Sequence, residues 1–245
     1  MQRQSLFAAR RTTVLELVEL SVSEGSASDA GSGLGRSVRA SLQLSGGELA
    51  LVQCSDAAES ALIADACVGL RPPRTGAVRF MGQDWARLGP AACARMRSRI
   101  GRVFGRGSWL EHLSVADNIL LPSLHHTRTP VAELREQAVA LARSFALPGL
   151  PSGRPSAHAR SDLQRAACVR ALMGSPSLIV LEEPIEDVFP EAVAPLVNAL
   201  RRLRDQGAAV LWFVLDPLVW QDRTIPADRR FRLLGRTLTE LGDRR

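Results

Sequence analysis

A chain of 245 residues with 46% hydrophobic content can bury one substantial core, or a core with a smaller lobe attached. Its formal charge of +6 is built on 31 basic residues that are all arginine, with no lysine anywhere. The arginines are scattered and no aromatic run interleaves with them, which argues for a solvated surface or a rim near anionic lipid and against nucleic acid.

The N-terminal dozen residues carry Arg3, Arg10 and Arg11 but lack the apolar core of a secretory signal, so a frayed arm is expected. Residues Val14 to Val22 and Val38 to Leu44 alternate apolar with polar, the pattern of half-buried strands, and Ser23 to Ser37 between them is a loop by composition. The segment Leu44-Ser45-Gly46-Gly47-Glu48 precedes a strand and reads as the turn into it. The short run Leu49 to Val52 and the Ala-rich helix to Val68 follow, in the strand, loop, helix order that phosphate-binding units use.

Val131, Leu134, Ala138, Leu141 and Phe145 fall at helical spacing before a Pro/Gly/Ser break at Pro148 to Pro155, in what is expected to be a second lobe. Leu163 to Leu172 is a further helix, and Leu178 to Leu181 a buried strand ending in Glu182-Glu183. Val193, Leu196, Val197, Leu200 and Leu203 mark another helix, stopped by Gly207 before the buried strand Ala208 to Leu215. Apolar strands alternating with helices predict an α/β fold with a parallel sheet covered on both faces.

The remaining features are bland. Cys54, Cys67, Cys93 and Cys168 form no CxxC pair, so no zinc site or disulfide framework is expected and a reducing compartment suits them. No apolar run reaches about 18 residues, so the chain is not expected to span a membrane alone. His125-His126 should point in different directions and lack a third ligand, which makes them surface residues. Trp85, Trp212 and Trp220 are expected in the core or at its edge.

Several segments, in order, resemble the ATP-binding subunits of ABC transporters. Gly69 to Val78 is similar to the stretch after that family's P-loop helix, Ile100 to Phe104 to its approach to the Q-loop, and His112 to Ile119 to its helical-lobe pattern. Leu163 to Leu172 looks like the helix after the signature sequence, Leu178 to Pro184 like the Walker B strand, and Ala227 to Leu238 like the closing hairpin. Phe104 to Asn118 is most similar to ATPases of Mla/Mce-type lipid-trafficking systems. The resemblance implies a P-loop NTPase-like ABC ATPase fold, with a mainly parallel core sheet, an antiparallel β subdomain and a helical lobe. It implies one domain over residues 12–245, with 12–104 and 173–245 as core and β lobe and 105–172 as helical lobe.

On that alignment, the residues that would hold ATP are replaced. The G-x-x-G-x-G-K-S cradle becomes Cys54 to Ala61, with Cys54, Ala57 and Glu59 for the glycines, Ser60 for the lysine and Ala61 for the magnesium-binding hydroxyl. Any positive-φ position there would cost roughly 1–2 kcal/mol. Gly105 stands at the Q-loop glutamine, Ala159, Arg160, Ser161 and Asp162 at the signature, and Leu215 at the switch histidine. Only Walker B keeps its chemistry: Glu182 is at the magnesium-orienting position and Glu183 at the general base. An alternative role for that pair is capping a strand end and neighbouring arginines.

The expectation is a non-hydrolysing ABC-like subunit with no cofactor, peripheral on the cytoplasmic face of the cell membrane. Its expected partners are a permease, touched through Trp109 and Leu110, and a second ATP-binding-type subunit. Trp109 and Leu110 could equally be lobe packing. One alternative is a divergent active ATPase that uses ATP and Mg2+, with Arg71 or Arg74 in place of lysine. Another is a free-standing regulatory or binding module.

Overall fold

The computed structural model describes residues 12–24, 36–105 and 108–242. The N-terminal arginines and most of the Ser23 to Ser37 loop therefore lie outside the described residues.

Among the described residues, ten strands form one sheet in the order β5-β4-β1-β2-β10-β9-β3-β8-β7-β6. One half is antiparallel: β1 (Thr13–Ser23) pairs with β2 (Ser37–Ser45) and with β4 (Thr75–Phe80), and β5 (Gln83–Asp84) closes that edge. The other half is parallel, with β3 (Leu49–Gln53) between β9 (Arg229–Leu234) and β8 (Ala209–Val214), then β7 (Leu178–Glu182) and β6 (Ile100–Val103). Strand β10 (Thr237–Leu241) joins the halves.

Period-2 alternation divides the parallel strands between two cores. Leu51, Leu181 and Trp212 face a cluster shared with α3 (Val115–His126), α4 (Val131–Ser144), α5 (Arg160–Leu172) and α6 (Val193–Asp205). Val52, Val180 and Phe213 face the opposite cluster, with α1 (Ala57–Cys67), α2 (Pro90–Arg97) and the antiparallel strands. Both faces of β7 and β8 are thus covered, and all eleven of their residues are buried. That is why these strands read as continuous apolar runs.

Two devices place the helices around the later site. Gly101 of β6 lies under α5 so closely that a Cβ there would stand 1.8 Å from the Ala171 carbonyl oxygen. Ser114 caps α3: its hydroxyl accepts the Asp117 N–H at 3.0 Å and donates to the Asp117 carboxylate at 2.6 Å. The segment Leu44 to Glu48 is the turn between β2 and β3, with Gly47 at φ +83°.

Three local expectations are corrected. Val131 is 52% exposed, because it is the first residue of α4 and the buried face begins at Leu134. The rings of His125 and His126 do not diverge; they meet edge to face with centroids 4.7 Å apart at the end of α3. Arg71 and Arg74 turn to the end of β1, with Arg71 donating to the Ser23 carbonyl at 3.0 Å and Arg74 to the Ser23 hydroxyl.

Candidate functional site

A cleft of about 690 Å³ opens at the carboxyl ends of β3, β7 and β8. Ala57 and Ser60 of α1 form one side, and Gly105 and Trp109, which follow β6, form another. Arg160 and Gln164 of α5 face Glu182, Glu183 and Leu215 across it. Eight of the residues singled out in the sequence therefore share one cavity. Among the others, Cys54, Glu59, Ala61, Leu110, Ala159, Ser161 and Asp162 do not line it.

The loop entering α1 is short and built on Asp56. Its side chain accepts the Ala58 N–H at 2.8 Å, and its carbonyl accepts the Glu59 N–H at 3.2 Å. A carboxylate of the chain itself thus sits on the positive end of this helix. Asp56 also pairs with Arg36 at 2.7 Å. The Ser60 hydroxyl bonds back to the Ala57 carbonyl at 2.9 Å, and Ser55 donates to Glu59 at 2.9 Å. No residue from Cys54 to Ala61 has a positive φ. The strain that a positive-φ position would bring to this segment does not arise, because it turns directly into helix at Ala57.

Cys54 is buried, and its thiol is pushed above its usual range by burial first and then by Glu59, Glu183, Glu182 and Asp56. These carboxylates make the α1 side of the cleft electronegative.

Glu182 is buried and held by Arg102 of β6 at 2.8 Å, and the same guanidinium reaches Asp65 of α1 at 2.8 Å. Burial pushes the Glu182 carboxyl upward, and the ion pair with Arg102 opposes that push. Glu183 has φ +47°, which is strained for a residue with a Cβ. It is fixed from three sides: its carboxylate accepts the Leu215 N–H, its carbonyl accepts the Gln164 amide at 2.6 Å, and its N–H donates to Phe213 at 3.2 Å. Burial raises its pKa to about 7, the Leu215 N–H pulls it back, and Glu186 and Asp216 push it further up. Gly105 lies against this pair, where a Cβ would make ordinary contact with the Glu182 Cβ at 3.7 Å.

In the segment aligned above with the signature, Ala159 is the N-cap of α5 and offers no side-chain bond. Arg160, with its side chain 80% exposed, pairs with Asp187 at 3.3 Å, and Asp162 pairs with Arg165 at 3.4 Å. Trp109 is half-buried with its ring under the Arg170 guanidinium at 4.4 Å. Leu110 is 41% exposed, and its backbone is pinned by the buried Asn118 amide at 2.9 and 3.1 Å.

Sequence reasoning missed Asp56, Arg102, Gln164 and Asn118. Asp56 carried a local signal, an Asp directly before an Ala-rich helical run. Arg102 carried one as well, a lone cation in a short apolar strand that needs a buried carboxylate beside it.

Strand β3, its short loop and α1, beside two carboxylates at the end of β7, follow the strand, loop, helix order of α/β folds built on a parallel sheet. No family model matches the chain. It is 29% identical over 133 residues to the intermembrane phospholipid transport system ATP-binding protein MlaF of Haemophilus influenzae, covering 54% of this chain and 50% of that protein. It is 31% identical over 185 residues to the macrolide export ATP-binding/permease protein MacB of Salmonella typhimurium, covering 73% and 28% respectively. With the lipoprotein-releasing system ATP-binding protein LolD of Pseudomonas syringae it shares 28% identity over 201 residues, 81% of this chain and 86% of that protein. The chain thus spans half or less of the length of MlaF and MacB.

Among solved structures, the dimeric ABC transporter cassette MJ0796 superposes with a TM-score of 0.79 at 18% identity, over 93% of this chain and 99% of that one. An ATP-binding subunit of an ABC transporter gives 0.75 at 21% identity, over 94% and 90%. In sequence and fold, the chain is a homologue of the ATP-binding subunits of ABC transporters.

Proposed function

We propose that the chain is a non-hydrolysing ABC subunit that works without a nucleotide cofactor, docks on the cytoplasmic side of a membrane permease and contributes shape and contacts instead of ATP turnover. The observation that carries this reading is the Asp56 carboxylate on the first turn of α1. A P-loop binds a triphosphate through free N–H groups at that helix end and a lysine. Here a carboxylate takes the Ala58 N–H, Glu59 adds charge of the same sign, and the chain has no lysine.

Magnesium fares no better on this reading. Ala61 offers no hydroxyl, and Glu182 is engaged by Arg102. The residues present do not fit Mg-ATP.

Trp109 and Leu110 at the cleft edge are the permease contact in this account, and a second ATP-binding-type subunit completes the assembly. The MJ0796 cassette, whose structure is dimeric, supports the pairing. The name of MlaF supports a lipid-trafficking system, while LolD and MacB, at similar identity, are named for lipoprotein release and macrolide export. No helix among the described residues is long and apolar enough to cross a membrane; in this reading the permease provides the attachment.

A divergent active ATPase is favoured by one observation, the Glu183 carboxyl raised to about 7 beside an open cleft, a value suited to a general base. Phosphate release from Mg-ATP by the purified chain and by Glu183→Gln separates the two. The proposal expects background rates from both, and turnover that Glu183→Gln abolishes would establish the active enzyme.

A further inference from the structure

Strand β9 alternates Phe231 and Leu233, buried on the α1 side of the sheet, with Arg230 and Arg232 on the other side. On that other side α7 (Pro217–Gln221) and residues 222–228 lie over the β9–β10 hairpin, and a cavity of about 790 Å³ remains between them. Trp220, Ile225 and Leu241 give it apolar walls. Its charged lining is Arg223, Arg229, Arg230 and Arg232 against Asp228 and Glu240. We propose that this cavity binds a small phosphomonoester, its dianionic head held by Arg223 and Arg232 and its organic group against Ile225 and Leu241.

The charges of the lining are unequally engaged. Asp228 accepts the Leu49 N–H at 2.8 Å and pairs with Arg204 at 2.6 Å, and Glu240 takes Arg229 on both oxygens at 2.7 Å. Arg230 donates to the Trp220, Asp222 and Ile225 carbonyls and so ties the overlying segment to the strand. Arg232 donates from Nε to the Gln53 side-chain oxygen at 2.7 Å and lies over the Trp220 ring, 4.3 Å from its centroid. Its two terminal nitrogens, and the whole guanidinium of the exposed Arg223, have no hydrogen bond among the described residues. Both acids are therefore committed, while two cations keep N–H groups to donate.

Two guanidinium groups match two negative charges. A phosphomonoester carries both above its second pKa of about 6, whereas a sulfate ester carries one. The fork of Arg232 is already oriented by Gln53 and the Trp220 ring, so little freedom is lost when it grips an oxyanion. The volume falls within the roughly 300–1,000 Å³ of small-molecule sites, with room for a ring or short chain beside the head. This cavity and the cleft beside α1 share no lining residue.

Phenyl phosphate and phenyl sulfate, a dianion and a monoanion of similar shape, are titrated into the intact chain by calorimetry near pH 7.5. Saturable phenyl phosphate binding at least about tenfold tighter than phenyl sulfate is expected, weakening toward pH 5.5 as the head gains a proton. Arg223→Gln, an exposed change, should lower the affinity about tenfold with folding intact, and Arg232→Gln should lower it similarly. Arg135→Gln, on the exposed face of α4, should leave it unchanged. Equal affinity for the two esters, no saturable binding, or an affinity unmoved by Arg223→Gln would overturn the site. Sedimentation with phosphatidylcholine vesicles containing phosphatidate separates two sources of the head: capture that phenyl phosphate reverses assigns it to a lipid, and no capture assigns it to a soluble ester. Failure here leaves the non-hydrolysing reading intact, because that reading rests on the separate cleft beside α1.

Discussion

Arg102 and Glu182, eighty residues apart in sequence, meet at 2.8 Å between neighbouring strands β6 and β7, both with side chains under a tenth exposed. The pair extends through Arg102 to Asp65, so one guanidinium ties the sheet to α1.

Removing that cation leaves a carboxylate buried without its partner. Arg102→Met should destabilise the chain by about 3–5 kcal/mol in urea unfolding. Adding Glu182→Gln should recover part of the loss, because a neutral amide is less costly to bury than an unpaired carboxylate.

The Glu183 carboxyl gives stability a pH dependence of known sign. Its folded pKa of about 7 lies above the ordinary 4.5. The folded state therefore holds a proton that the unfolded state has released. The contribution is fully present below about pH 4.5 and is lost as pH rises through 7, on the order of 3 kcal/mol in all. Glu183→Gln should flatten that slope in melting curves between pH 5 and 8. A slope unchanged by the substitution would exclude Glu183 as its source.

Loss of the Asp56 cap should cost about 0.5–2 kcal/mol in Asp56→Ala, and less in Asp56→Asn, which keeps an acceptor for the Ala58 N–H. Chemical denaturation midpoints measure both. The comparison isolates the hydrogen bond from the charge.

Much of the fold was legible because its signals are local. Alternation in Val14 to Val22 and Val38 to Leu44 gave strands, and the apolar runs at Leu178 and Ala208 gave buried ones. The cleft was legible only as a set of aligned positions. Its working contacts, Arg102 with Asp65 and Glu182 and Gln164 with Glu183, join residues that are far apart along the chain, and no periodicity reports them. His125 and His126 show the same limit, since their meeting depends on how α3 ends.

At the cleft edge, Leu110→Glu is a cleaner test of docking than Trp109→Ala. Leu110 is 41% exposed, whereas Trp109 packs against the core and under Arg170. Leu110→Glu should reduce co-purification with a permease while shifting unfolding by no more than about 0.5 kcal/mol. Trp109→Ala should lower both.

Nucleotide affinity tests the proposed function most directly. A ligand that binds only the folded chain raises its stability by about 2.7 kcal/mol at a hundred times its dissociation constant. Thermal melting with millimolar ATP, with and without magnesium, should leave the transition unmoved, because Asp56 already takes the Ala58 N–H at the start of α1 and Glu59 adds negative charge in its first turn. An ATP-dependent rise in melting temperature, larger with magnesium than without, would contradict it.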